Sequence, residues 1–316
     1  MPQQSKRYFL VLIMLVSICA SVHGQTSKPQ PTRRIKRVAK PVFKDDQGDG
    51  VFFKDVFEEA LVGKRPPVPS ASSLAANATG GVDDSAGKTW SRLISAATLE
   101  DEVKSLQQNL SRDLTTASRF RSDHTKIQKS FEQLSLMFGV IREYDAKVRW
   151  KADAAVAQRS FETAAAAARA GDETSFASSM RSTEDLVQLV RGDRFPGKAK
   201  PPKKLDWSSV TGHSPIMKRL QELQDEVKAA TSSEKEFKKQ QPKIIHTAEL
   251  IALMAEAVQQ EDMDYADDED YVAYAKQMSA AASAAAKASR NNNYQSLSTA
   301  VNGVGQSCAA CHGDFR

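Results

Sequence analysis

The chain has 316 residues, 41 % of them hydrophobic and 26 % charged, with a formal net charge of +5 and three cysteines. Lys6 and Arg7 fall in a segment expected to be removed, which leaves +3, too mild a balance to argue for a nucleic-acid partner. No run after residue 24 reaches the roughly 20 apolar residues a membrane span needs, so the mature protein is expected to be soluble.

Residues 1–24 read as a secretory signal peptide. Lys6 and Arg7 precede the apolar run Tyr8 to Ala20, and Val22-His23-Gly24 supplies a small-residue boundary, with cleavage expected between Gly24 and Gln25. A retained anchor is the alternative, against which the run is short. Cys19 has no small residue just ahead of it, so lipidation is not expected. The protein is therefore placed in the periplasm. Residues 25–88 read as a disordered basic and Pro-rich tether. Arg33, Arg34, Lys36, Arg37 and Lys40 charge its first part, and residues 64–88 are a low-complexity stretch of Pro, Ser, Ala and Gly. The basic part is either solvated or a contact for anionic lipid or an acidic partner.

From Trp90 onward the pattern is helical and recurs 117 positions later, beginning with Trp207. Leu99, Val103, Leu106 and Leu110 match Ile216, Leu220, Leu223 and Val227, a stripe stepping by four, three and four along one helix side. Phe120 matches Phe237, Leu134 matches Ile251, and Leu136-Met137 matches Leu253-Met254, with a slip of one near Phe176 and Tyr294. Such a repeat reads as tandem duplication of one unit. Thr98 with Asp101 suggests the cap of each unit's first helix in the earlier copy. Second helices are expected through Ile127 to Ile141 and Ile244 to Val258, with His124 between the first and second helices. Ala-rich third helices are expected around Ala152 to Ala170 and Tyr271 to Ser289. Fourth helices should begin after Gly171-Asp172 and Asn291-Asn292-Asn293. The expected fold is all-α, two up-down four-helix bundles in series over residues 89–197 and 205–316.

The fourth helix of the second unit ends in Cys308-Ala309-Ala310-Cys311-His312. This C-x-x-C-H spacing is that of covalent haem attachment: two thiols on one helix face reach one porphyrin edge, and the next histidine ligates the iron. A zinc ribbon would need a second ligand pair, a thioredoxin-like pair would need a βαβ context, and a disulfide between such neighbours is geometrically awkward. The reading is one covalent haem c, held by Cys308 and Cys311, with His312 as proximal iron ligand.

An all-helical unit ending in C-x-x-C-H-x-x-Phe-Arg resembles the cytochrome c′ family, on the stretch from Gly303 through Cys308, Cys311 and His312 to Phe315-Arg316. The resemblance implies a haem wedged inside the bundle, with the first helix crossing its distal side and Arg316 near the proximal face. In that family the first helix supplies a methionine to the iron or places a non-ligating side chain there. Met217 stands where such a ligand would sit, as distal iron ligand or as flexible core filler. His213 is a rival ligand, and His246 reads as a surface or packing residue. In the first unit Met217 corresponds to Glu100, and the fourth helix ends Val190 to Phe195 without cysteine or histidine. That unit is expected to be haem-free, with Phe131, Phe138, Phe161 and Phe176 filling the vacated space.

The leading reading is an electron-transfer protein rather than an enzyme, with an unidentified redox partner protein. A five-coordinate haem binding NO or CO, or an interaction protein with a structural haem, are the competing readings. The acidic run Glu261 to Asp270 reads as a solvated loop with helix-start acids, or as a docking patch for a basic partner. A homodimer remains open.

Overall fold

In a computed structural model of the chain, residues 90–315 are described. The expected signal peptide and tether and the expectation for Arg316 lie outside the described residues. Ten helices and no strand occur among the described residues. They fall in one compact unit with a continuous hydrophobic core.

A short helix α1 (Trp90–Leu93) leads into α2 (Ala96–Asp113), α3 (Ala117–Glu143), α4 (Ala154–Ala168) and α5 (Glu173–Arg191). A second short helix α6 (Trp207–Val210) leads into α7 (His213–Ala230), α8 (Glu234–Ala257), α9 (Glu269–Arg290) and α10 (Tyr294–Asp314). Each long helix packs on the next, and α2 meets α5 as α7 meets α10, so each set of four closes on itself. The stripes cause this. Leu99, Val103, Leu106 and Leu110 are buried, as are Ile216, Leu220, Leu223 and Val227, so each first helix turns one face inward.

The turns are set by side-chain caps. Ser95, not Thr98, caps α2: its hydroxyl accepts from Thr98 N at 3.2 Å. Asp172 and Ser175 form a reciprocal capping box at α5, and that helix stops at Gly192 with φ 116, a conformation that favours glycine. Asp268 accepts from Asp270 N and Tyr271 N at the start of α9, where Glu269 and Asp270 also complement the helix dipole. Part of the acidic run thus has a structural task.

One further expectation is corrected. His124 lies inside α3, not between helices, because that helix begins at Ala117. Its first turns are polar apart from the buried Phe120, and one apolar position makes no stripe to announce the helix. Within α8, Gln240 leaves helical geometry just before Pro242, which lacks an N–H and crowds the preceding turn.

Candidate haem site

The site is built on the wall where α10 faces α7 and α9. Asn293 caps α10 by accepting from Ser296 N at 2.9 Å. Leu297, Val301 and Val304 are buried along it, which fixes the rotation of the helix. A Cβ on Gly303 would stand 3.3 Å from Ala281 Cβ, so glycine and alanine together let α10 approach α9 closely. With that rotation, Ser307, Cys308, Cys311 and His312 all border one cleft.

The opposite walls come from α7 (Met217, Leu220, Gln224) and α9 (Tyr271, Ala275, Met278). The cavity between these walls is small, about 30 Å³. Its walls are mainly apolar. Cys308 Sγ lies 3.7 Å from Met278 Sδ, while His312 is exposed at the rim. Met217 is half-buried on the far wall. The structure therefore gathers Cys308, Cys311, His312 and Met217, separated by up to 95 positions, around one cavity.

Burial pushes the Cys308 thiol pKa up, with a small opposing pull from Lys228. Burial, together with the neighbouring Cys308, pushes that of Cys311 up to about 11. Both thiols are thus neutral side chains at ordinary pH. His213 Nε2 is 2.8 Å from Tyr271 Oη, and burial lowers its pKa against the pull of Asp264. It is committed to that contact and is not among the residues that border the cleft. Tyr271 is buried, and desolvation raises its phenol well above the ordinary range. Phe315 closes the end of the helix edge-on to Tyr271, ring centroids 5.5 Å apart.

His246 is more than a packing residue. Its Nε2 is 3.0 Å from Glu102 Oε2, a contact spanning 144 positions that local periodicity carries no trace of. Arg219, also missed, reaches the same carboxylate at 3.8 Å.

In the N-terminal four helices the corresponding space holds aromatic rings. Phe161 packs on Phe138 at 5.4 Å, on Phe195 at 5.6 Å and on Phe131 at 6.2 Å. Phe176 does not join them. It pairs with Phe120 at 5.7 Å, and the C-terminal helices have a matching pair, Phe237 with Tyr294 at 6.0 Å. A ring pair found in both halves is framework, not filling.

An apolar cleft in a four-helix bundle, bordered by two thiols, an imidazole and a thioether, has the chemistry of a haem-binding helical domain. Residues 210–316 match the family model described as Cytochrome C′. The match covers about a third of the chain, and residues 90–209 lie outside it. No curated protein and no solved structure matches the chain.

Proposed function

We propose that the protein is an exported, periplasmic electron-transfer cytochrome, not an enzyme, with one covalent haem c. Cys308 and Cys311 would hold the group through their sulfurs, with His312 as proximal iron ligand and Met217 as the second iron ligand. The observation that carries this reading is the placement of Met217 on the wall of the same cleft that Cys308, Cys311 and His312 border.

When bound, the haem supplies a one-electron cycle between Fe(II) and Fe(III). The chain's own residues do the rest. Leu220, Ala275 and Met278 exclude water from the cleft, which limits the reorganisation that accompanies a change of charge. Met217 and His312 as a ligand pair would favour a raised reduction potential relative to many other ligand sets. His213, held by Tyr271, is withdrawn from the rival role. Next to the site, Tyr265 is 48 % exposed and packs edge-on to Phe315, among the acids Asp262, Asp264 and Asp267. That surface suits encounter with a basic redox partner protein, steered by charge.

No helix among the described residues is long and apolar enough to cross a membrane, in keeping with export as a released protein. The deciding experiment is the absorption spectrum of the reduced protein with and without carbon monoxide. A low-spin spectrum that carbon monoxide leaves unchanged supports electron transfer. A high-spin spectrum that shifts on adding the gas would replace it with the gas-binding reading.

A further inference from the structure

Glu102 is 6 % exposed and lies between Arg219 at 3.8 Å and His246 at 3.0 Å, both supplied by the C-terminal helices. Arg219 is the residue 117 positions after Glu102. Trp90 and Trp207 bear the same relation, and their rings meet at 5.3 Å. Two units related by translation keep counterpart residues one repeat apart in space. A residue touches its own counterpart only where the units are turned about a two-fold axis and the pair sits on that axis.

Such an axis demands reciprocal contacts away from it, and these are present. Ser95 and Thr98 on α2 donate to the buried carboxylate of Glu249 on α8, with Ser95 Oγ at 3.0 Å. The counterparts of Glu249 and Thr98 are Glu132 and Pro215, which border one small cleft between α3 and α7. Likewise α1 packs on α8, and α6 packs on α3, where a Cβ on Gly139 would meet Val210 at 3.3 Å.

The residues on the axis also choose the partner. Two identical copies paired about this axis would set Arg219 against Arg219, or Glu102 against Glu102. Like charges facing each other in a part-buried contact are strongly unfavourable. One glutamate and one arginine suit only unlike halves.

We infer that residues 90–197 and 205–316 are the two halves of an isologous pair carried on a single chain. In this pair the motif-free N-terminal half is the built-in partner of the C-terminal half, and Glu102 opposite Arg219 on the pseudo-axis excludes pairing between two C-terminal halves. This does not depend on what the iron does. It makes the protein a monomer in solution, with α7 and α8 closed to other copies.

Two measurements on the full-length secreted protein test it. The first is a charge-exchange cycle with Glu102→Arg, Arg219→Glu and the double variant, read as thermal midpoint and light-scattering mass. Each single change should lower the midpoint by roughly 2–6 °C, and the exchange should recover more than half of the loss. The cycle cancels the contacts Arg219 makes along its own helix with Glu222 and Glu226. Losses that merely add in the double variant overturn the axis. The second measurement needs no variant and stands if the single changes fail to fold. An equal mixture of light and nitrogen-15 protein is treated with a lysine cross-linker; Lys129 and Lys218 border the same cleft. Links between these two lysines within light or within heavy chains only, with the mass of one chain, support the pairing. Mixed light–heavy links, or no link between the halves, overturn it.

Discussion

Phe138 and Phe161 pack ring against ring at 5.4 Å in the N-terminal half, while the residues 117 positions later are Ala255 and Met278. Met278 borders the haem cleft, so a small residue and a flexible one stand where the other half has two phenyl rings. On the proposed reading the same helical framework houses a cofactor in one half and a packed aromatic core in the other. A haem-sized void left empty would be severely destabilising, at about 24 cal/mol per Å³.

Phe161→Ala should therefore destabilise the protein by about 3–5 kcal/mol, since the ring is fully buried among three others. Phe161→Met, which keeps most of the volume, should lose much less. Urea unfolding of both variants measures the difference. Neither should bring a second haem, because the N-terminal half has no cysteine or histidine at its last helix.

The pyridine haemochrome of the purified protein should give one haem per chain, resistant to denaturation. Cys308→Ala with Cys311→Ala should remove it. A count near two would sink the view that residues 90–197 carry none.

Met217→Ala should change the oxidised spectrum by removing the weak sulfur-to-iron band near its red end, and should open the reduced iron to carbon monoxide. If the variant's spectrum matches the parent's, Met217 is core filler and the iron is five-coordinate or bound by His213.

Asp113 offers a pH test away from the cofactor. It is 3 % exposed, and Lys126 Nζ approaches it at 2.6 Å, with Arg112 and Arg119 at 3.4 and 3.5 Å. Burial alone would raise its carboxyl pKa, but the bonds and charges of Lys126 and Arg112 outweigh that and hold it below the usual value. The folded state therefore binds the proton less well than the unfolded one. The stabilisation is complete above the unfolded value, near pH 4, and is lost as pH falls through the folded value beneath it. Asp113→Asn should cost about 1–2 kcal/mol at neutral pH, discounted because its cationic partners are largely exposed. The gap between variant and parent should close as the pH drops below 4 in denaturant titrations.

What could be read in advance follows from the range of each signal. Leu99, Val103, Leu106 and Leu110 announce α2 because burial of one helix face leaves a local period, and Cys308, Cys311 and His312 announce the site because their chemistry demands adjacency. The start of α3 was hidden, since Phe120 is the one buried apolar residue between Ser118 and His124 and a single position sets no period. The α2 cap fell at Ser95 rather than Thr98, as either hydroxyl can serve and backbone geometry decides. Contacts such as Glu102 with His246 and Arg219 leave no local mark, because their partners are brought together only by packing.

The seat of Cys308 against Met278, with both thiols shifted towards their protonated forms by burial, bears on the order of assembly. Thiol chemistry proceeds through the thiolate and needs access. On the proposed reading, the cofactor has to be joined while α10 still stands away from α7 and α9. The closed bundle is then the result of attachment and not its template. Export of an unfolded chain suits that sequence of events, and a molecule that docks its last helix too early locks itself out of becoming a cytochrome.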